Sequence, residues 1–206
     1  MKGSFYEIYK VVSSVTYTLS FTTGAALIYE SVIVADLYVE LQNWPKVQAK
    51  LMAENSFQSR TESTLKKLYG EISRRLKHLT DDQLNLLAMG TDEQKKALVW
   101  LAICRQYQFI YDFTVEVISP QYEAAHFLLT HEDYDAFFNA KAEWHDNLDS
   151  ASRQTKSKAR QVIFRMLKEC GLINDGNELI YQKLDEHLFQ VIGKASDDLR
   201  LYPGNS

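Results

Sequence analysis

Proline, glycine and cysteine are scarce in this sequence, with 3, 8 and 2 copies among 206 residues. So few helix-breaking residues argue against a fold built from tight turns, and apolar residues recur at helical rather than alternating spacing over most of the chain. Cys104 and Cys170 are far apart and belong to no CxxC or Cys/His pattern, which favours buried free thiols over a zinc site. The sequence therefore predicts a mostly α-helical protein.

Motifs that mark an enzyme are also missing. The chain contains no Gly-rich phosphate loop and no Gly-x-Ser-x-Gly nucleophile motif. Possible metal ligands are concentrated in one stretch, at His126, His131, Glu132, Asp133, Asp135, Glu143, His145 and Asp146. Acids at helix starts explain most of them, since the exposed amides there carry partial positive charge, and their spacing matches no known ligand pattern. We expect no catalytic residues, no cofactor and no enzyme activity; a metal-dependent nuclease is the disfavoured alternative.

One uncharged stretch, residues 11–29, is long enough to suggest a membrane span. It contains seven Ser or Thr, and its apolar residues alternate with polar ones between residues 15 and 21. That pattern favours an extended segment leading into a helix. The stretch also lacks the small-residue cleavage site of a signal peptide. We expect a cytoplasmic protein with no membrane segment.

Positive charge is scarce overall but concentrated in two places. The net charge is −4, yet residues 150–168 contain six Lys or Arg and no acid, and residues 56–79 contain six against two acids. The rest of the chain must therefore carry a net charge of −14, which is −4 minus the +6 and the +4 of the two stretches. Such segregation favours two basic patches on an acidic body, while two ordinary solvated helix faces are the alternative interpretation.

Both basic stretches have the pattern of amphipathic helices. The first is predicted to begin at a capping box formed by Ser59 and Glu62 and to end near residue 79, with its lysines and arginines opposite its leucines. The second is predicted to begin at Ser150 or Ser152, to bury residues 159, 162, 163, 166, 167 and 170, and to end at a left-handed C-cap, Gly171. Further helices are predicted at 24–41, 45–54, 80–90, 93–119, 134–146 and 183–194.

After Gly171, short apolar runs at 172–173 and 179–181 flank Asn-Asp-Gly-Asn, a turn sequence that predicts a β-hairpin. A helix followed by strand, turn and strand is the order in a winged helix-turn-helix domain. We therefore predict two helical lobes. Residues 1–128 form an N-terminal helical domain with a possible helix-turn-helix, and residues 129–206 form a winged-helix-like domain with a short hairpin.

Several segments, in this order and spacing, resemble one protein family. They read TTGAALIYESVIVADLY, NWPKV, ENSFQSRTESTLKKLYGEISRRLKHLT, FIYDFTVEVI and TKSKARQVIFRMLKECGLI. The pattern is similar to that of the BrxA proteins of BREX bacteriophage-exclusion systems, and it spans nearly the whole chain. The resemblance implies a small, helical, non-enzymatic component encoded beside a DNA methyltransferase, an ATPase and a phosphatase-like protein. Members are likened to the RNA-binding antitermination protein NusB and are thought to bind DNA. No family active site exists to carry over.

The charge pattern nominates the binding residues. Double-stranded DNA is the predicted partner, held mainly by phosphate contacts that should be salt-sensitive and modestly sequence-selective. The predicted wing tip, residues 174–177, carries no positive charge, so the helices should supply most of the phosphate contacts. The candidates are Arg60, Lys66, Lys67, Arg74, Lys77, Arg153, Lys156, Lys158, Arg160, Arg165 and Lys168. The alternatives are an RNA ligand, or a protein–protein adaptor that docks other BREX proteins through the acidic surface. The pattern defines no oligomeric state.

Overall fold

The computed structural model describes residues 17–194 and 196–205, without the side chains of Thr22 and Thr23. Helices dominate this part of the chain, as predicted. Short 3-10 turns form at Ser20–Thr23 and Asp197–Leu201. The α-helices are α1 (Ile28–Leu41), α2 (Trp44–Glu54), α3 (Glu62–Leu76), α4 (Asp81–Met89), α5 (Asp92–Gln106), α6 (Gln108–Phe113), α7 (Ser119–Glu123), α8 (His131–Ala142), α9 (Asp146–Asp149), α10 (Arg153–Glu169) and α11 (Glu186–Ile192).

Side-chain caps define the starts of the two basic helices. The second, α10, begins after Ser152, whose hydroxyl accepts a hydrogen bond from the Thr155 N–H at 3.1 Å. The first, α3, begins after Thr61, whose hydroxyl accepts from the Thr64 N–H at 3.1 Å. The predicted capping box at Ser59 and Glu62 is therefore wrong. Ser59 is held instead in the preceding loop, because its N–H donates to the Asn55 side chain at 2.9 Å.

The helix predicted at 93–119 is interrupted. Tyr107 adopts an extended backbone (φ −122°, ψ 92°) that separates α5 from α6. A π-helical turn follows at Thr114–Ile118 and continues directly into α7. Pro120 lies in the first turn of α7 and does not end the helix as predicted. The wider π turn accommodates the proline ring, which would clash with the carbonyl four residues earlier in a regular α-helix.

The buried side chains form one hydrophobic cluster that includes residues from both predicted domains. At its centre the ring of Phe109 makes edge-on contacts with Tyr17 and with three aromatics of α8, namely Tyr134, Phe137 and Phe138. Aromatic pairs of this geometry add stability beyond the area they bury. The domain boundary near residue 128 stays a prediction.

The segment after α10 forms less regular structure than predicted. Gly171 has φ 78° and ends α10 in the left-handed conformation, as predicted. The only β pairing in the described ranges consists of two isolated antiparallel bridges, Ile173 with Leu179 and Leu128 with Glu178. The predicted two-stranded β-hairpin is therefore absent from this part of the chain, and the winged-helix interpretation is not supported. The pairing stops after Ile180 because the next residue to bond, Gln182, donates its N–H to Pro203 instead.

The uncharged stretch 11–29 falls only partly within the described residues, from Tyr17 onward. Residues 17–19 have no regular structure, residues 20–23 form the first 3-10 turn, and α1 begins only at residue 28. No helix in the described ranges is long and apolar enough to cross a membrane.

Candidate nucleic-acid interface

The helix α10 separates apolar and basic side chains as its pattern predicts. All six residues predicted for its core face are buried. Phe164, which the prediction omitted, is buried too, with its ring edge-on to His131 of α8 at 4.8 Å. Arg153 and Lys158 are exposed, and within the described residues neither has an ion pair or a hydrogen bond from its side chain. The first turns of α10 therefore present two unpaired cations to solvent.

A groove of about 360 Å³ runs between α8 and the start of α10. In it, Arg160 forms an ion pair with Asp135, and the Nζ of Lys156 lies 5.2 Å from the centre of the Phe138 ring. The Nε of Arg160 is buried and has no hydrogen-bond partner among the described residues. The groove is lined by Asp135, Phe138, Asn139, Arg153, Lys156, Ser157 and Arg160.

The last two candidate cations of α10 are partly engaged. The Nε of Arg165 lies 2.7 Å from a carboxylate oxygen of Glu169, one turn later. The Nζ of Lys168 donates to the carbonyl of Asp175 at 3.2 Å. Both cations are exposed, and such surface contacts are weak enough for a phosphate to replace them.

A second basic surface lies in a cleft of about 610 Å³ between α2 and α3. Lys66 pairs with Glu62 at 2.6 Å and Arg74 pairs with Glu71, whereas Lys67 is exposed and has no ion pair within the described residues. The cleft is lined by Trp44, Pro45, Gln48, Lys66, Lys67, Tyr69, Gly70, Ser73, Arg74 and Lys77. The remaining candidate, Arg60, precedes α3 and is exposed but does not line the cleft.

One arginine of the first basic stretch is not on the surface. Arg75 is 1% exposed and lies beside buried Glu71, with its Nη2 2.8 Å from the carboxylate, which also accepts a hydrogen bond from the Tyr107 hydroxyl. Burial opposes the charge of Glu71, but Arg75, Tyr107 and Arg74 outweigh it and lower its pKa. Burial, followed by the bond to Glu71, raises the pKa of Tyr107 to about 12. This buried network is structural.

The two basic helices share an anchor in the segment before α1. The Nη1 of Arg75 donates to the carbonyls of Ala25 and Ala26, at 2.8 and 3.2 Å. The N–H of Ala26 in turn donates to Glu169 at the end of α10, at 2.7 Å. The last turns of α3 and α10 therefore both bond to Ala26.

Sequence reasoning missed the partners of these cations. Asp135 is 25 residues from Arg160, and Trp44 is 33 residues from Lys77, so no local pattern joins them. Arg75 did carry a signal. On a helical wheel it borders the apolar arc next to Leu68, and an acid stands four residues before it.

Among the described residues, no group of three or more His, Cys, Asp or Glu side chains could hold a metal ion. Cys104 and Cys170 are free and buried, as predicted, and burial raises the pKa of both thiols.

A family model described as BrxA matches residues 15–195. The chain belongs to the BrxA family. BREX protein BrxA of Bacillus cereus (strain H3081.97) is 30% identical over 141 residues, which cover 68% of this chain and 70% of that protein. BREX protein BrxA of Escherichia coli O9:H4 (strain HS) is 23% identical over 154 residues, which cover 73% and 71%. The family resemblance seen in the sequence is therefore confirmed.

A solved structure shares the fold. The crystal structure of an uncharacterized protein from Magnetospirillum magneticum superposes on this BrxA-family chain with a TM-score of 0.75. The superposition covers 91% of this chain and 96% of that one, at 18% sequence identity. At that identity the likeness concerns the fold alone.

Proposed function

We propose that this BrxA-family chain is a non-enzymatic, double-stranded-DNA-binding component of a BREX phage-defence system. The observation that carries the proposal is α10, which holds six cations and only one acid, with its apolar face fully buried. Because that face is fixed in the core, the cations on the remaining surface are presented to an external ligand. A polyanion is the partner that such a surface attracts, through phosphate contacts and counterion release.

The cations of α10 divide by how readily they can take a phosphate. Arg153 and Lys158 are unpaired among the described residues and can do so at once. Arg160 and Arg165 must leave a carboxylate, but both are paired with partly exposed acids, so the exchange costs little. The cations of α3 supply a second set of contacts.

The test is a titration of labelled duplex DNA at several salt concentrations. The triple variant Arg153→Glu, Lys158→Glu, Arg160→Glu should lose most of its affinity at low salt. The slope of log K against log salt should also become flatter by about 0.9 for every phosphate that the variant no longer binds. A control with the same charge change, Lys183→Glu, Lys194→Glu, Arg200→Glu, alters cations outside both basic surfaces. Equal loss of affinity in the two variants would mean that net charge, and not α10, governs binding.

A second candidate function, a protein adaptor, is favoured by an exposed apolar surface. Phe127, Leu128, Ile180 and Tyr181 are 40–58% exposed, and their two segments are joined because the Leu179 N–H donates to the Phe127 carbonyl at 2.7 Å. Exposed apolar groups of this kind mark interaction sites. Another BREX protein is the partner we expect there. A pull-down of other BREX proteins tests this expectation: the Leu128→Asp variant should recover less partner than the parent chain does.

The RNA alternative and the likeness to NusB also stay predictions. Competition between duplex DNA and duplex RNA of the same sequence distinguishes the two ligands. Because α10 presents the same charges to both, a difference in affinity must come from the shape and chemistry of the duplex. Stronger competition by RNA would replace DNA as the ligand in the proposal.

A further inference from the structure

The cleft between α2 and α3 differs in chemistry from the groove beside α10. The groove includes a carboxylate, Asp135, whereas the described lining of the cleft holds four cations and no acid. The cleft also contains the ring of Trp44 and has a volume of about 610 Å³. Cations next to an aromatic ring are the combination that binds an unpaired nucleotide, because the phosphate needs a positive charge and the base needs a ring to stack on.

Trp44 is held as a fixed platform. The ring of Tyr38 stacks on it, with 4.4 Å between centroids and 30° between planes. Its carbonyl accepts a hydrogen bond from the Tyr69 hydroxyl at 3.0 Å, and Asn43 and Pro45 fix the backbone on either side as the cap and first turn of α2. A ring that is already ordered loses little entropy when a base stacks on it.

The group that lies over this platform is a lysine. The Nζ of Lys77 is 5.6 Å from the centre of the Trp44 ring. The lysine is exposed and long, and an exposed cation–π contact is weak. A base can therefore take the place of the ammonium over the ring, and the displaced ammonium remains close enough to meet the phosphate of the same nucleotide.

The phosphate has further cations available along α3. Lys67 is exposed without an ion pair among the described residues, and Arg74 has a side chain that is 56% exposed although it contacts Glu71. Both line the cleft together with Trp44. The base platform and the phosphate-binding cations thus belong to one cavity.

We propose that this cleft binds a nucleotide whose base is unpaired, with the base on Trp44 and its phosphate on Lys67, Arg74 and Lys77. The proposal rests on the proposed nucleic-acid function and assigns a different part of the nucleic acid to each basic surface. The α10 surface holds the duplex part of the DNA. The second set of contacts, made by the α3 cations, is to an unpaired nucleotide in the α2–α3 cleft, at an end or an opening of that duplex.

The experiment compares labelled single-stranded dT12 with a 12-base-pair duplex in fluorescence anisotropy. Trp44→Leu should weaken dT12 about ten-fold, the loss expected for one stacked base, and should change duplex affinity less than two-fold. Trp44→Phe should retain most of the dT12 affinity because it keeps a ring. Trp144→Leu, which alters a tryptophan outside the cleft, should bind as the parent does. Competition with U12 and with thymidine monophosphate then assigns the source of the nucleotide.

Two further variants distinguish loss of the cleft from loss of folding and from loss of duplex binding. Lys67→Glu, on the exposed side of α3, should also weaken dT12 and keeps the proposal testable if Trp44→Leu fails to fold by circular dichroism. The α10 triple variant should lose the duplex and keep dT12. Unchanged dT12 affinity in folded Trp44→Leu and in Lys67→Glu overturns the cleft proposal, whatever the duplex does. Loss of dT12 in these variants, with no duplex binding by the parent, would support the cleft and overturn the duplex function.

Discussion

Removing the charge of Glu71 should destabilise the protein far more than removing the charge of a surface acid. Glu71→Gln leaves the guanidinium of Arg75, which is 1% exposed, without its buried counter-charge. Breaking a buried ion pair by removing one partner costs about 3–5 kcal/mol. For a chain of this length each kcal/mol corresponds to roughly 2–4 °C, so Tm should fall by roughly 6–20 °C.

The matched control is Glu62→Gln on the same helix. Glu62 pairs with Lys66 one turn later, but the two side chains are 73% and 59% exposed. An exposed pair of this kind is screened by solvent and contributes little to stability, so the control should lose only a few degrees. Thermal unfolding at pH 7, followed by circular dichroism, measures both variants. Equal Tm values for the two variants would refute the reasoning, because the buried charge of Arg75 would then need no partner.

Three other predictions follow from the same contacts. The pKa of Glu71 is lowered in the folded state, so ionised Glu71 stabilises the fold above the unfolded pKa, and this stabilisation is lost as pH falls through the folded pKa. The difference in Tm between Glu71→Gln and the parent should therefore shrink in acid. A difference that stays constant with pH would contradict this prediction. Asp135→Asn removes the partner of Arg160 and should raise duplex affinity several-fold at low salt, with a steeper salt slope in anisotropy; unchanged binding would place the groove outside the interface. Burial raises the pKa of Cys104 and Cys170, so a thiol reagent at pH 8 should label the folded protein only when the fold opens, and mass spectrometry should show no fast phase of labelling.

Features that depend on a local pattern were predicted well. The core face of α10, its cap at Ser152 and its end at Gly171 are confirmed, because side-chain spacing, a capping hydroxyl and a left-handed glycine act within a few residues. The predicted turn forms, since the Asn177 N–H donates to the Asn174 carbonyl at 3.0 Å, but its positive φ lies at Asn177 (62°) and not at the Asp-Gly pair that favours it by sequence. The predicted β-hairpin does not extend beyond the turn. Strands need partners along their length, and here the two segments separate after the bridge between Ile173 and Leu179.

The break inside the helix predicted at 93–119 could not be predicted from the local sequence. The polar residues Arg105, Gln108 and Asp112 fall on one side of a helical wheel that continues through Tyr107, so the periodicity marks no break there. The break is associated with a distant contact, the bond between the Tyr107 hydroxyl and Glu71, which are 36 residues apart. The same holds for Arg75, whose carbonyl partners are about 50 residues earlier in the chain. Charge counting placed it on the surface because a count carries no information about such partners.

The shared anchor at Ala25 and Ala26 links the two basic helices thermodynamically. Glu71 divides its oxygens between Arg74 and buried Arg75, and Glu169 divides its own between Arg165 and the Ala26 N–H. A phosphate that draws away Arg74 or Arg165 therefore changes the partners of an acid that bears on the anchor, Glu71 through Arg75 and Glu169 directly. Occupancy of one surface should then alter the affinity of the other, and by reciprocity the factor must be equal in both directions.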